Sequence, residues 1–380
     1  MNMLRHFELK MSPEGRFMLP TTVWRFSVAA VLGIATFVVN RIFETSAAVA
    51  DAYAEIMKMV ILIVSGAMTY VPFVVAEVLL YLCAMLAAIY VVFAVVFLIT
   101  KPGKLARVVR IVADLCMVGA LIGFVFLMLF GYSYKCTPVT ERMDLDVHEQ
   151  PIETLYDTTE WLLGYANEYS QIVPRDGEGN ALLGTFDGIA ARMYDGYDTL
   201  SAQWEFLQST HAPVKRVSSW KLMSYVGLTG MYVPYTMESV VNPDCAAATL
   251  PFTMGHEMAH RLTIAREEEA NFMGFMACRA NSDRRIQYSG YYMAFRYCFV
   301  ALYNQNPTLG MEIYNRMTPQ LTHDMDEHDA IIVKYDTPVR EVGNKVNDTY
   351  LKVNDQQSGI KSYGEVVDLI IAQYLKENGK

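Results

Sequence analysis

Three features are missing from this 380-residue sequence, and each absence argues against a class of protein. Its six cysteines form no C-x-x-C pair, which argues against a zinc site built from thiolates. No block of lysine and arginine is long enough to indicate nucleic-acid binding, and the formal net charge is −9. The chain also has no internal repeat and no low-complexity tract, so it does not predict a repeat protein or a biased linker.

Long apolar runs, by contrast, are present, and they concentrate in the first third of the chain. Stretches near 22–40, 72–100 and 111–134 are each long enough to cross a bilayer as a helix. The first lacks the small-residue cleavage site of a signal peptide, so we expect it to be retained. The apolar segment 59–70 has only about a dozen residues, too few to span, and we expect it to be interfacial or re-entrant. Residues 1–135 are therefore predicted to form a membrane region.

The distribution of basic residues predicts how these spans are oriented. The short loop between the second and third spans carries four of them: Lys101, Lys104, Arg107 and Arg110. Short basic loops remain in the cytoplasm, so three spans place the N-terminus in the cytoplasm and everything after about Cys136 outside. A four-span alternative, which uses segment 59–70, would put either the basic loop or the N-terminus on the wrong side.

Residues 136–380 have the pattern of a globular domain rather than of further spans. Helical spacing of apolar residues, interrupted by loops, covers most of this region. Alternating aromatic and β-branched residues with glycines predict strands at 214–217, 223–226 and 230–242. Pro234, inside the last of these, is typical of an edge strand. We therefore predict a mainly helical α+β domain with a small sheet.

The stretch H-E-M-A-H over residues 256–260 carries the clearest chemistry. It follows an apolar run in which Pro251 suits the first turn of a helix. His256 and His260 are four residues apart, so both imidazoles lie on one helix face and reach a single metal ion. Zinc suits two imidazoles and a carboxylate with a fourth position for water, and Glu257 would flank that water as a general base. The alternative is a surface helix with two solvated histidines.

A third ligand is expected from the glutamate-rich run that follows. A turn near Thr263 would end the first helix, and a second helix would bring Glu267 back towards the histidines. Glu268 and Glu269 compete for this role, because consecutive helical residues point in different directions. We expect at least one of the three to be solvated in an acidic first turn, where the helix dipole favours it. Asn271 shares a face with Glu267 and is a candidate for orienting a ligand.

Two further groups of residues are candidates for substrate contacts. An edge strand just before a zinc helix can pair with an extended peptide, which makes Tyr232, Tyr235 and Asn242 candidate substrate-binding residues. The alternative is a supporting sheet with no substrate role. A helix predicted from about residue 284 carries Tyr288, Tyr291, Tyr292 and Tyr297. A tyrosine hydroxyl near the metal would stabilise an oxyanion, but such tyrosines more often belong to the core, and the sequence does not single one out.

Several of these motifs resemble the bacterial membrane family known as domain of unknown function 3810. The layout of three spans before an extracytoplasmic domain is similar, and the resemblance covers most of the chain. The matching stretches are Y-V-P-Y-T-M-E-S-V-V-N from Tyr232, L-P-F-T-M-G-H-E-M-A-H from Leu250, A-R-E-E-E-A-N-F from Ala265, Y-S-G-Y from Tyr288 and N-D-T-Y-L-K from Asn347.

The resemblance implies a zincin-like, gluzincin-type metallopeptidase of the bacterial cell membrane, with His256, His260 and Glu267 holding Zn²⁺ and a peptide or protein as substrate. Glu267 is favoured because E-x-x-A-N at 267–271 is similar to the E-x-x-A-D of membrane gluzincins. Thr263 stands where the family often has glycine, and since a β-branched residue resists positive φ, we expect a different turn there. The alternatives are a non-catalytic zinc-bearing sensor or binding protein of the envelope, and a purely structural metal site.

Overall fold

The computed structural model describes residues 13–208, 211–354, 356 and 362–379. By its internal contacts the chain divides into two compact units. The first comprises Met1–Ala50 and Glu77–Lys135, and the second comprises Asp51–Ala76 and Cys136–Lys380. The segment Asp51–Ala76 therefore groups with the second unit, although it lies within the first 135 residues.

Four long helices form the first third of the chain: α1 (Pro13–Thr45), α2 (Ala47–Met68), α3 (Val75–Thr100) and α4 (Lys104–Leu129). Three of them, α1 from Leu19 onwards, α3 and α4, are long and apolar enough to cross a membrane, which confirms the prediction of three long apolar helices. Arg25 of α1 forms an ion pair with Asp114 of α4, as expected for charges in an apolar environment, and Asp114 also accepts a hydrogen bond from Tyr90.

The apolar segment 59–70, predicted to be interfacial or re-entrant, is not a separate element, because residues 59–68 continue a 22-residue helix, α2. One face of α2 is buried, with small or apolar residues at helical spacing. Its buried positions are Ala50, Ala54, Met57, Ile61 and Ser65. The apolar run that begins at residue 59 is clear in the sequence. The buried face, however, also includes residues before this run, so it becomes visible only when the whole of α2 is treated as one helix.

The second unit is mostly helical. Besides most of α2, its helices are α5 (Val139–Arg142), α6 (Ile152–Ile172), α7 (Phe186–Ala190), α8 (Tyr194–Ser201), α9 (Trp220–Val226), α10 (Leu250–Arg261), α11 (Glu267–Ala280), α12 (Arg284–Gln305), α13 (Pro307–Tyr314), α14 (Pro319–Lys334), α15 (Pro338–Val353) and α16 (Ser362–Asn378). Its strands are β1 (Lys215–Arg216), β2 (Gly230–Val233) and β3 (Glu238–Val241). The predicted combination of a mainly helical domain and a small sheet is confirmed.

The sheet has the strand order β1-β3-β2, with β3 parallel to β1 and antiparallel to β2. The strand predicted over 230–242 is instead a hairpin, and Pro234 lies in its turn, where no ladder hydrogen bond is lost. Of the two hairpin strands only β2 lies at an edge of the sheet, since the buried β3 occupies the centre between β1 and β2. Residues 223–226, predicted as a strand, belong to α9, which Gly227 ends in the left-handed conformation (φ 79°).

Candidate metal centre

The H-E-x-x-H stretch lies on α10, in the interior of the second unit. Pro251 occupies the first turn, and every residue from Pro251 to Arg261 is buried. His256 and His260 are only 8% and 7% exposed. The alternative of a surface helix with two solvated histidines is therefore wrong.

The turn after α10 reverses the chain through Thr263, which has φ 68°. The expectation that a β-branched residue would give a turn unlike that of glycine is wrong, because Thr263 adopts the left-handed conformation itself. Two backbone hydrogen bonds enforce it, from Thr263 N–H to His260 O (3.0 Å) and from Ile264 N–H to Ala259 O (3.2 Å). The same turn presents the carbonyl of Ile264 to the imidazole of His260.

Three ligand-type atoms converge at this turn. The Nε2 atoms of His256 and His260 are 3.0 Å apart. Glu267 Oε2 lies 3.3 Å from the first and 3.7 Å from the second. Ligands held about 2 Å from a tetrahedral ion are separated from one another by about 3.3 Å. The spacing of the three atoms therefore suits one small tetrahedral cation.

The electrostatics of this cluster also favour a cation. His260 Nδ1 is 2.8 Å from the carbonyl of Ile264, to which it donates, and this hydrogen bond leaves Nε2 as the nitrogen that faces His256 and Glu267. Burial alone would raise the pKa of Glu267, but the two histidines outweigh it and hold that pKa well below its usual range. Burial likewise opposes the charged form of His260, yet Glu267 raises its pKa to about 9. The cluster thus favours a positive charge beside Glu267, which either a proton or a metal ion could supply.

The other two glutamates of the triplet have partners away from the histidines. Glu269 accepts a hydrogen bond from the backbone N–H of Val139 (2.9 Å) and forms an ion pair with Arg266. Glu268 accepts one from Gln356 Nε2 (2.6 Å), and burial raises its pKa to about 7. None of the three is exposed, so the expectation of a solvated glutamate in this turn is wrong. Of the triplet, Glu267 is the residue that meets both histidines.

Glu257, the predicted general base, is buried beneath the edge strand β2. Its carboxylate accepts a hydrogen bond from the backbone N–H of Tyr232. A Cβ at Gly230 would lie 2.4 Å from Glu257 Oε1, so this close approach requires glycine. Ser239 Oγ donates to the main-chain carbonyl of Glu257 (2.8 Å), which ties α10 to β3. Burial raises the pKa of Glu257 to about 6.

The residues predicted to bind substrate lie in three different settings. The side chain of Tyr232 is buried, and its backbone reaches Glu257. Tyr235 lies in the hairpin turn and is 46% exposed. The amide of Asn242 is buried and donates to Ser224 Oγ (2.8 Å), while its carbonyl oxygen accepts from the N–H of Asp244. Asn242 therefore organises the loop after β3.

Asn271, the residue predicted to orient a ligand, is 3% exposed on α11. It lies one helical turn after Glu267, so the two side chains share a face of the helix. This placement agrees with the helical spacing on which the prediction rests.

Among the four tyrosines predicted on α12, one interacts electrostatically with Glu267. Tyr288 and Tyr292 both donate hydrogen bonds to Asp324, and a third tyrosine stacks within a cluster of aromatic rings. Burial raises the pKa of Tyr297, Arg296 lowers it in part, and the carboxylate of Glu267 adds to the rise. Of these four tyrosines, Tyr297 is therefore the one whose pKa responds to the charge of Glu267, a choice for which the sequence contains no local signal.

The approach of α10 and α11 depends on a pair of glycines. A Cβ at Gly255 would lie 3.3 Å from the Cα of Gly274, and a Cβ at Gly274 would lie 3.2 Å from the backbone nitrogen of His256. This close packing sets the distance between the two histidines of α10 and Glu267 of α11. The sequence does not indicate this role of Gly274, because a single glycine inside a helix has no distinguishing pattern.

Comparison with known proteins gives one match. The model of a family described as Protein of unknown function (DUF3810) matches residues 53–371. The matched region contains the sheet, α10 and α11, and hence all the residues of the candidate metal centre. No curated protein and no solved structure matches the chain.

Proposed function

This chain belongs to the DUF3810 family, and we propose that it is a membrane-anchored, zinc-dependent metallopeptidase of the gluzincin type. The observation that carries the proposal is the convergence of His256, His260 and Glu267, with Glu257 adjacent on the same helix. A helix with only a structural role would need neither the burial of these four side chains nor their close spacing.

The donor set and its accessibility suit a catalytic zinc ion. Two imidazoles and one carboxylate are donors that zinc hydrolases use, and three protein ligands leave one coordination position for solvent or substrate. In the part of the chain that the structure describes, no fourth histidine, cysteine or carboxylate joins the group. The side chains of His256, His260 and Glu267 keep 11%, 9% and 9% of their surface exposed, so solvent reaches them. A bound zinc ion would polarise a peptide carbonyl and lower the pKa of water.

Glu257 and Tyr297 would supply the remaining chemistry. Glu257 would accept a proton from the attacking water and deliver it to the departing amine. Because burial raises the pKa of Glu257 to about 6, this carboxylate is largely deprotonated at neutral pH and yet basic enough to take up a proton. The hydroxyl of Tyr297 would donate to the negative charge that develops on the peptide oxygen.

The edge strand β2 provides a surface on which an extended peptide could align. One edge of β2 pairs with β3, and the strand order leaves its other edge at the border of the sheet. Gly230 and the backbone of Tyr232 lie against Glu257, so a peptide added along β2 would pass beside the general base. Met231, which is 43% exposed, is available to contact such a peptide.

The three apolar helices and their flanking charges predict where the proposed activity takes place. Lys101, Lys104, Arg107 and Arg110 flank the junction of α3 and α4, and the positive-inside rule assigns that loop to the cytoplasm. We therefore propose a multi-pass protein of the bacterial cell membrane, with a cytoplasmic N-terminus and an extracytoplasmic catalytic domain. Its substrate would be a peptide or protein of the cell envelope.

Comparative proteomics of cell envelopes tests the proposal. Envelopes carrying the wild-type chain are compared with those carrying Glu257→Gln, and Glu268→Gln is the matched control in the same region. We expect envelopes with the wild type and with Glu268→Gln to contain peptide termini that are missing from envelopes with Glu257→Gln, although all three proteins should retain zinc. Identical termini in all samples would contradict a peptidase. In that case, a cellular role lost in His256→Ala but kept in Glu257→Gln would favour the non-catalytic sensor.

A further inference from the structure

Arg261, the last residue of α10, has an unbalanced buried charge. It is among the largest fully buried side chains of the protein. Its Nε and Nη2 atoms have no hydrogen-bond partner among the described residues, and no described carboxylate forms an ion pair with it. The nearby Tyr197 hydroxyl donates to Gly255 O (2.7 Å) and offers no negative charge. Arginine remains protonated in proteins, so this charge is costly unless an anion joins it.

Arg261 lines a small cavity of the second unit, whose wall includes none of His256, His260 and Glu267. Ser65 and Met68 of α2 form one side of this cavity, and Lys215 and Glu238 form another. Its wall is mixed: it has two cationic groups, one carboxylate and the apolar side chains of two methionines. A cavity with both charged and apolar walls suits a ligand whose charged group is attached to an apolar part.

Glu238 does not neutralise Arg261, because its two oxygens are already used. Lys215 Nζ donates to Glu238 Oε1 (2.7 Å). The backbone N–H groups of Val75 and Ala76 donate to Oε1 and Oε2 at 3.0 and 2.9 Å. The charges of Lys215 and Glu238 thus cancel, and the cavity retains the positive charge of Arg261.

We propose that Arg261 and this cavity form a binding site for a phosphate-type oxyanion, separate from the metal centre. The planar guanidinium fork matches two oxygens of such a group. The surroundings favour the phosphate of an anionic lipid as the source. Ile63, Tyr70 and Phe73 are 72%, 88% and 54% exposed, and they precede a helix able to cross a membrane. Free phosphate shares the same chemistry and is the second source to test.

Thermal unfolding of the zinc-loaded full chain in detergent tests the site. Wild type, Arg261→Met and Arg284→Met are compared, the last removing an exposed arginine from α12. Each is titrated with sodium phosphate at constant ionic strength, and each is also reconstituted into nanodiscs of phosphatidylglycerol or of phosphatidylcholine. Saturating ligand should raise the melting temperature of wild type and Arg284→Met by several degrees, and that of Arg261→Met by none.

The result also identifies the source of the anion. A rise with inorganic phosphate shows that the free ion suffices, whereas a rise only in phosphatidylglycerol identifies a lipid headgroup. No rise with either, an equal rise in Arg261→Met, or an equal rise with chloride would overturn the proposal. If Arg261→Met does not fold, Arg261→Lys keeps the charge without the fork and must show a clearly smaller rise than wild type. An undiminished rise in Arg261→Lys would then overturn it.

Discussion

At the scale of single residues, Thr263 combines a backbone cost with a role in the site. A β-branched residue at φ 68° is strained by about 1–2 kcal/mol relative to its usual conformations. The turn nevertheless supplies the carbonyl of Ile264 that orients His260. The sequence locates this turn correctly but not its conformation, because the residue type favours one φ and the surrounding backbone hydrogen bonds impose another.

Thr263→Gly should therefore raise the free energy of unfolding by about 0.5–1 kcal/mol, since glycine removes the strain at a modest cost in unfolded-state entropy. Urea denaturation measures the change. Thr199→Gly, on the exposed face of α8, is the matched control and should lower stability, because glycine is a poor helix former. A loss of stability in Thr263→Gly equal to that of the control would contradict the strain argument.

Tyr297→Phe removes the hydroxyl proposed to donate to the developing oxyanion and should lower kcat/KM on a cleaved peptide by about 10²-fold. Zinc content should be unchanged, because the phenol is not a ligand. Tyr303→Phe, an exposed position on the same helix, should keep full activity. Equal activities of the two variants would rule out Tyr297 as the donor to the developing oxyanion.

At the scale of secondary-structure elements, the helices of the site could be predicted but the sheet could be predicted only in part. Pro251, the histidine spacing and the acidic run mark α10 and the start of α11 through local chemistry. The stretch 223–226 has strand-like residues, yet it belongs to a helix that ends at Gly227. Local propensity could not decide this, because the burial of Met223 and Ser224 against the rest of the unit determines the outcome.

Gly274→Ala should weaken zinc binding by about tenfold, because the new methyl group forces apart the two helices that carry the ligands. Competition with a zinc chelator measures the affinity. Gly164→Ala, on the exposed face of α6 with no atom near its Cβ, is the control and should raise stability by about 0.5–1 kcal/mol. Unchanged affinity in Gly274→Ala would show that the helix separation does not set the ligand geometry.

At the scale of the whole molecule, the three apolar spans were predictable, because length and composition alone define them. The grouping of Asp51–Ala76 with the second unit was not, since it rests on contacts distant in sequence. Asp51, for example, binds Thr137 and Arg142. Similarly, the proposed metal ligands follow from local spacing, whereas Tyr297 and Arg261 emerge only from packing between helices and strands.

Labelling of introduced cysteines with a membrane-impermeant maleimide in intact cells tests the orientation. Lys104→Cys, in the basic loop, should stay unlabelled until the cells are lysed, because that loop is predicted to be cytoplasmic. Val353→Cys, at a position that is 76% exposed on α15, should be labelled from outside. The reverse pattern would place the metal centre in the cytoplasm. The first twelve residues, predicted to be cytoplasmic, lie outside the described part of the chain.

The most direct measurement is the zinc content of the purified full-length protein, determined by elemental mass spectrometry after dialysis against metal-free buffer. The proposed centre predicts about one zinc ion per wild-type chain. His256→Ala and Glu267→Ala should lose it, whereas Glu257→Gln should retain it. Full zinc occupancy in His256→Ala and Glu267→Ala, or its absence from the wild type, would contradict the metal centre and the hydrolytic mechanism that depends on it.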